Sequence, residues 1–441
     1  MPEALGITSG GERPGRIWVI ESARGAAAAY VVLAHFLQLL GFRANAADSP
    51  LWLDLSGGYA HQAVLFFFLL SGFSIHYASA SRSLNSLAGL LHYYYLRLRR
   101  IYPILLLVLA LSCLLLFVGA AMEMPGYGPM WQAMSLSQIA HNVMLTADLP
   151  YVCGRWADVI GNVGQIWSLA YEVIYYAIYP LFWLLVRRFS IVWSVCLGCT
   201  LSLLASWAGR WHCDHIFNVL GLYFAWCLGA GVADLRLRKH RVAMPRWSCY
   251  LGVYCLLQII PILSETSLFY TVEPLWIAMF ALLMLHSISN GALEILTKRQ
   301  KLLLVITVIL IAAAIVVVNQ HRPLAQNALL LRERALFVAV LWCGGLLLDG
   351  TLAARASIKT LIQKLVPVGA ISYALYVLHM PLMHFAKALT VQGARLVLSM
   401  LLAVALSVVL ARWMELRYQP WVSAWLDSRL GKHLRSGVAP V

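Results

Sequence analysis

Arg24 and His35 are the pair in this sequence whose types and spacing most suggest chemistry. They stand 11 residues apart in a run that opens Ile20, Glu21, Ser22, Ala23, Arg24, Gly25 and continues through four alanines. At 100° per residue that interval is about 1100°, roughly 20° past three full turns, with a rise of about 16 Å. On a helix both lie on one face, Arg24 at the membrane edge and His35 near the midplane. A neutral imidazole in an apolar site accepts a proton at physiological pH, so His35 is a candidate general base or nucleophile. Arg24 taken alone is as readily a snorkelling cation.

Other polar groups recur at membrane depth, where each ionisable side chain is costly and marks a functional site by default. Arg97 and Arg100 are three residues apart and share one helical face just before Ile101, Tyr102 and Pro103. Their paired donors suit a phosphate or diphosphate, against the plainer reading of a topology signal. Glu172 follows Trp167, Ser168 and Leu169 and places a carboxylate near the outer boundary, where it requires a partner such as His35 or an arginine. Ser71 and Gly72 sit among phenylalanines, where small residues admit a ligand or, more simply, a neighbouring helix. Ser372, Tyr376 and His379 share a face ahead of Pro381, with His379 read as a packed, hydrogen-bonding residue.

These residues need a scaffold, and composition says which. The 441 residues are 61% hydrophobic and 12% charged, with a mean hydropathy of +0.77. A soluble domain so composed would expose large apolar patches. Apolar runs of the length needed to cross about 30 Å of hydrocarbon recur throughout. They fall near 27–43, 62–80, 102–120, 166–186, 189–208, 216–234, 248–264, 271–289, 302–318, 335–349, 367–389 and 395–415. The expected fold is therefore an all-α polytopic bundle of ten to twelve spans, ten if the pair broken by Pro261 and Pro274 is re-entrant or interfacial.

The net charge of +15 follows the same plan. Most Lys and Arg fall in loops on the side of the termini, so by the positive-inside rule both termini are cytoplasmic. The basic balance is topology, and no nucleic-acid partner is expected. The organisation expected is a flexible cytoplasmic stretch at 1–16 without a removable signal peptide, one membrane domain over 17–420, and a basic cytoplasmic tail at 421–441. The segment near 81–101 reads as an inner loop, and 121–165 as an outer loop shaping an acceptor site. Nine scattered cysteines lack metal-ligand spacing; Cys153 and Cys213 both fall in outer loops, where an unpaired structural role is favoured over a disulfide between them. No metal site is expected.

In this order, Arg24 with His35, the segment ending Ser71-Gly72-Phe73, the Arg97 and Arg100 pair, Trp167-Ser168-Leu169 with Glu172, and Ile371-Ser372-Tyr373 with Tyr376 and His379 resemble the acyltransferase 3 family. The resemblance spans about 16–420. It implies a multi-pass enzyme of the bacterial inner membrane that moves an acetyl or other short acyl group from cytoplasmic acyl-CoA to a hydroxyl of a cell-surface carbohydrate or lipid-linked glycan. It also implies that Arg24, Arg97 and Arg100 bind the phosphates of acetyl-CoA, the acyl donor, and that His35 is catalytic. Glu172, Ser71 and Gly72 carry over as site residues. The alternative is a proton-coupled transporter or flippase of an anionic or glycosylated substrate, with Arg24, His35 and Glu172 as its midplane site.

Overall fold

The computed structural model describes residues 17–42, 51–147 apart from 81 and 83, 157–209, 215–238, 364–390 and 393–431, with a few isolated positions between 244 and 363. In chain order the helices are α1 (Trp18–Leu39), α2 (Leu51–Gly57), α3 (Ala60–Ser79), α4 (Leu87–Ala121), α5 (Tyr127–Gln132) and α6 (Leu136–Val143). They continue as α7 (Ile166–Arg188), α8 (Ile191–Ala208), α9 (His215–Gly221), α10 (Tyr223–Leu237), α11 (Val366–Ala370), α12 (Ser372–Leu389), α13 (Ala394–Trp413) and α14 (Gln419–Leu426). Among the described residues the fold is all-α apart from a two-residue parallel pairing of Met244–Pro245 with Ala292–Leu293.

Six helical stretches among the described residues are long and apolar enough to cross a membrane: 60–79, 87–121, 166–188, 191–208, 216–237 and 394–429. The more polar α1 and α12 coincide with the expected spans at 27–43 and 367–389. The expected spans at 248–264, 271–289, 302–318 and 335–349 fall mostly or wholly outside the described residues, as do Cys153, Cys213 and residues 1–16.

The segment near 81–101 is not the loop expected of it. Ser86 accepts the Gly89 N–H at 3.1 Å as an N-cap, and α4 then runs unbroken for 35 residues. Helix former and cap outweigh the charges, because a 35-residue helix spans about 52 Å and carries its arginine-rich turns clear of the hydrocarbon. The outer segment 121–165 contains α5, α6 and a 3₁₀ turn at Ile160–Asn162. Asn142 ties it together, donating to the Gln138 and Asp158 carbonyls and accepting the Ile160 N–H.

Glycines set the closest helix crossings. A Cβ on Gly72 would lie 1.9 Å from the Trp226 carbonyl oxygen of α10, and one on Gly229 would lie 1.9 Å from that of Leu69 on α3. A Cβ on Gly369 would come within 1.8 Å of the Glu21 carbonyl oxygen, which locks α11 to α1. Such contact between backbones is how membrane helices gain packing energy without a hydrophobic driving force. Beside the α3–α10 crossing, buried Asp234 accepts from Arg238 Nε at 2.6 Å and lies 3.4 Å from His76 Nε2.

Pro103, Pro180 and Pro381 lie inside helices, and the structure answers each in the same way. A helix proline leaves the carbonyl four residues earlier without its N–H. For Pro103 that carbonyl is Arg99, and Gln419 Nε2 donates to it at 2.7 Å. For Pro180 it is Tyr176, which receives the Tyr93 hydroxyl at 3.1 Å. For Pro381 it is Val377, which receives Gln165 Nε2 at 2.6 Å. In each case a side chain from another element satisfies the freed group, as apolar surroundings require. The proline turns of α4, α7 and α12 are thereby clipped to α14, α4 and the start of α7.

Candidate functional site

Those clipped turns surround a cavity of about 210 Å³ between α1, α3, α4, α7 and α12. Its wall brings together Arg24, Ser71, Arg97, Arg100 and Glu172, residues drawn from four helices and separated by up to 148 positions (172 − 24) in sequence. Each freed carbonyl belongs to, or adjoins, a residue of this wall: Tyr176 itself, Arg100 next to Arg99, and Tyr376 next to Val377. The clipped proline turns therefore border the site.

Glu172 sits one helical turn before Tyr176, so both side chains reach the cavity from the same face of α7. Ser71 Oγ donates to Glu172 Oε1 at 2.8 Å, and the Tyr176 hydroxyl donates to the same oxygen. The partner of this carboxylate is a pair of hydroxyls, not His35 or an arginine. Ser71 faces the cavity while its neighbour Gly72 faces α10; Gly72 therefore serves helix packing and does not line the site.

The three guanidiniums differ in their surroundings. Arg100 donates twice to Glu415, at 2.6 and 3.2 Å, and lies over the Tyr373 ring. Glu415 is 7% exposed and also accepts the Ala374 N–H in the first turn of α12 at 3.3 Å, where the helix dipole favours an anion. Arg97 donates to Ser79 Oγ at 3.2 Å, and its buried Nε has no partner among the described residues. Arg24 has no acidic partner among the described residues, although it lines the same wall. The cavity thus offers two cations not neutralised by carboxylates and one that is. A phosphate or other anion fits this donor set.

His35 does not line the cavity. Its Nδ1 lies 2.8 Å from Nε2 of His379, with nearly parallel ring planes, and His379 stands one turn from Tyr376 of the wall. His379 Nδ1 lies 3.1 Å from the Leu375 carbonyl oxygen. A carbonyl can only accept, so that nitrogen carries the proton. Neutral His379 then presents an unprotonated Nε2, His35 Nδ1–H donates to it, and the lone pair of His35 is left on Nε2. The arrangement fixes which nitrogen of His35 can take up a proton, in the way an orienting partner fixes the base of a catalytic triad.

Sequence reasoning passed over Glu415 and Gln165 and gave His379 only a packing role. Glu415 carried a usable signal, since a lone carboxylate in the apolar run from Ala394 to Trp421 is costly unless paired. Gln165 and His379 carried none beyond proximity to Trp167 and Pro381.

A protein-family model described as an acyltransferase domain matches residues 17–412. Neither the curated proteins nor the solved structures contain a match to this chain.

Proposed function

This chain belongs to the acyltransferase 3 family, and from that premise we propose that it moves an acetyl or other short acyl group from the corresponding acyl-CoA on the cytoplasmic side of a bacterial inner membrane to a hydroxyl of a surface carbohydrate or lipid-linked glycan. The observation that carries the reading is the meeting of Arg24 and Arg97 in one cavity, a single turn of α12 away from the His35 and His379 pair.

In this reading Arg24 and Arg97 hold donor phosphate, and Arg100, already paired with Glu415, shapes the wall and contributes less charge. His35 Nε2 takes the proton of the acceptor hydroxyl as its oxygen attacks the thioester carbonyl carbon. The C–S bond breaks as the ester forms, and the same proton passes from His35 to the departing thiolate. His379 keeps His35 in the correct tautomer throughout. Glu172, held by Ser71 and Tyr176, sets the charge of the wall facing the arginines.

The test is transfer of label from acetyl-CoA to glycan in membranes containing the wild-type, Arg24→Ala or His35→Ala protein. Wild-type transfer lost in both variants is the expected result. A wild-type protein that labels no glycan, but accumulates an anionic or glycosylated solute in vesicles unchanged, would replace this reading with a carrier.

A further inference from the structure

Acyl transfer develops negative charge on the carbonyl oxygen of the thioester, and a hydrogen-bond donor held ready for that oxygen is usually the largest single source of rate. Such a donor must be able to turn toward its target, so the hydroxyls around the cavity divide by what already holds them.

Among the described residues seven hydroxyls line the wall. Ser71 and Tyr176 donate to the Glu172 carboxylate. Ser74 donates to the Leu70 carbonyl at 2.7 Å, Ser372 to that of Gly369 at 2.8 Å, and Tyr373 to that of Ile101 at 2.9 Å. Ser168 donates to the Gln165 carbonyl at 3.0 Å. The seventh, the Tyr376 hydroxyl, lies 2.7 Å from Ser168 Oγ. A serine has one hydroxyl proton, and Ser168 gives it to Gln165, so Tyr376 is the donor of this pair. Six protons are thus committed to a carboxylate or a main-chain carbonyl, and that of Tyr376 rests on another hydroxyl.

Its position suits the task. Tyr373, Tyr376 and His379 follow one another at successive turns of α12, each step rising about 4.5 Å. Arg100 lies over the Tyr373 ring at 5.5 Å, while the His379 ring, which holds His35, is 6.1 Å from that of Tyr376. Phe67 of the wall packs against Tyr376 at 5.6 Å. Tyr376 therefore stands one step beyond the cationic wall and one step short of the histidine pair. A thioester whose phosphates rest on the arginines and whose carbonyl meets His35 has to pass this point.

Resting on the acyl-transfer reading, we infer that Tyr376 is a further catalytic residue: its hydroxyl leaves Ser168 and donates to the thioester carbonyl oxygen as charge develops there. Attack by the acceptor oxygen moves the carbonyl π pair onto that oxygen, where the Tyr376 hydrogen bond meets it. When the pair returns, the C–S bond breaks and the hydroxyl swings back to Ser168. The tyrosine keeps its proton throughout, and His35 alone carries the acceptor's proton to the thiolate.

The experiment measures transfer of label from acetyl-CoA to a surface-glycan extract by wild type, Tyr376→Phe and Ser168→Ala. Both variants lose the same hydrogen bond between α7 and α12, so a structural role moves them together and a catalytic one parts them. Expected is a loss of about 100- to 1,000-fold in kcat for Tyr376→Phe, with the KM for acetyl-CoA little changed, against less than about tenfold for Ser168→Ala. Thermal unfolding should shift alike in the two. If Tyr376→Phe keeps the wild-type kcat, or if Ser168→Ala falls as far, Tyr376 only clips α12 to α7 and the inference is overturned. If wild type transfers no label to any glycan, the acyl-transfer reading fails before the variants are compared and takes this assignment with it.

Discussion

His35 Nδ1 and His379 Nε2 lie 2.8 Å apart, and the Leu375 carbonyl behind His379 decides which of the two carries the shared proton. Removing His379 should leave His35 free to adopt either tautomer. We expect His379→Ala to lower kcat about 100-fold while the KM for acetyl-CoA moves little. Steady-state transfer from labelled acetyl-CoA measures both. An unchanged kcat would reduce His379 to packing.

The arginines should not be equivalent. Arg100 is neutralised by Glu415, whereas Arg24 has no carboxylate partner among the described residues. Arg24→Ala should raise the KM for acetyl-CoA about 30-fold and Arg100→Ala less than about 5-fold, since a charge-assisted hydrogen bond is worth about 1.5–3 kcal/mol. Titration of acetyl-CoA against both variants checks the order, and the reverse order would mean that donor phosphate displaces Glu415.

Ser71 and Gly72 are adjacent but should fail differently. Gly72→Ala forces a Cβ into the Trp226 carbonyl, so folded protein extracted in detergent should fall sharply, as monodisperse yield on size exclusion would register. Ser71→Ala should keep that yield and lower transfer through Glu172, whose carboxylate would lose one of its two hydroxyl donors.

The clip between α4 and α7 makes a stability prediction. Tyr93→Phe leaves the Tyr176 carbonyl unpaired and should destabilise the protein by about 1–3 kcal/mol. Adding Pro180→Ala supplies the missing N–H and should recover most of the loss. Thermal unfolding of the single and double variants decides it, and additive losses would argue against the clip.

Helical periodicity is enough to read α1 from its residues alone. Arg24 and His35 do share an inward face, and Ser71, Arg97, Arg100 and Glu172 do reach one cavity, because helical spacing fixes direction within an element. What stays hidden in the sequence lies between elements. Tyr93 meets the carbonyl of Tyr176 across 83 residues, Gln165 that of Val377 across 212, and Gln419 that of Arg99 across 320. No spacing rule reaches that far. Gly72 illustrates the ambiguity within an element: small residues suit ligand and helix alike, and only the position of Trp226 separates the two.

Two short π-helical turns follow α13, at Met414–Tyr418 and Asp427–Gly431. Each presents an acid to an arginine of α4, Glu415 to Arg100 and Asp427 to Arg99. A π turn accommodates one extra residue within an α-helix and leaves the helix beyond it in register. Deleting a single residue from 414–418 would restore regular winding around Glu415, while Gln419 and Asp427 downstream keep facing Arg99. The widened turn therefore bears on the hold of Glu415 on Arg100, and the rest of the tail is indifferent to the extra residue.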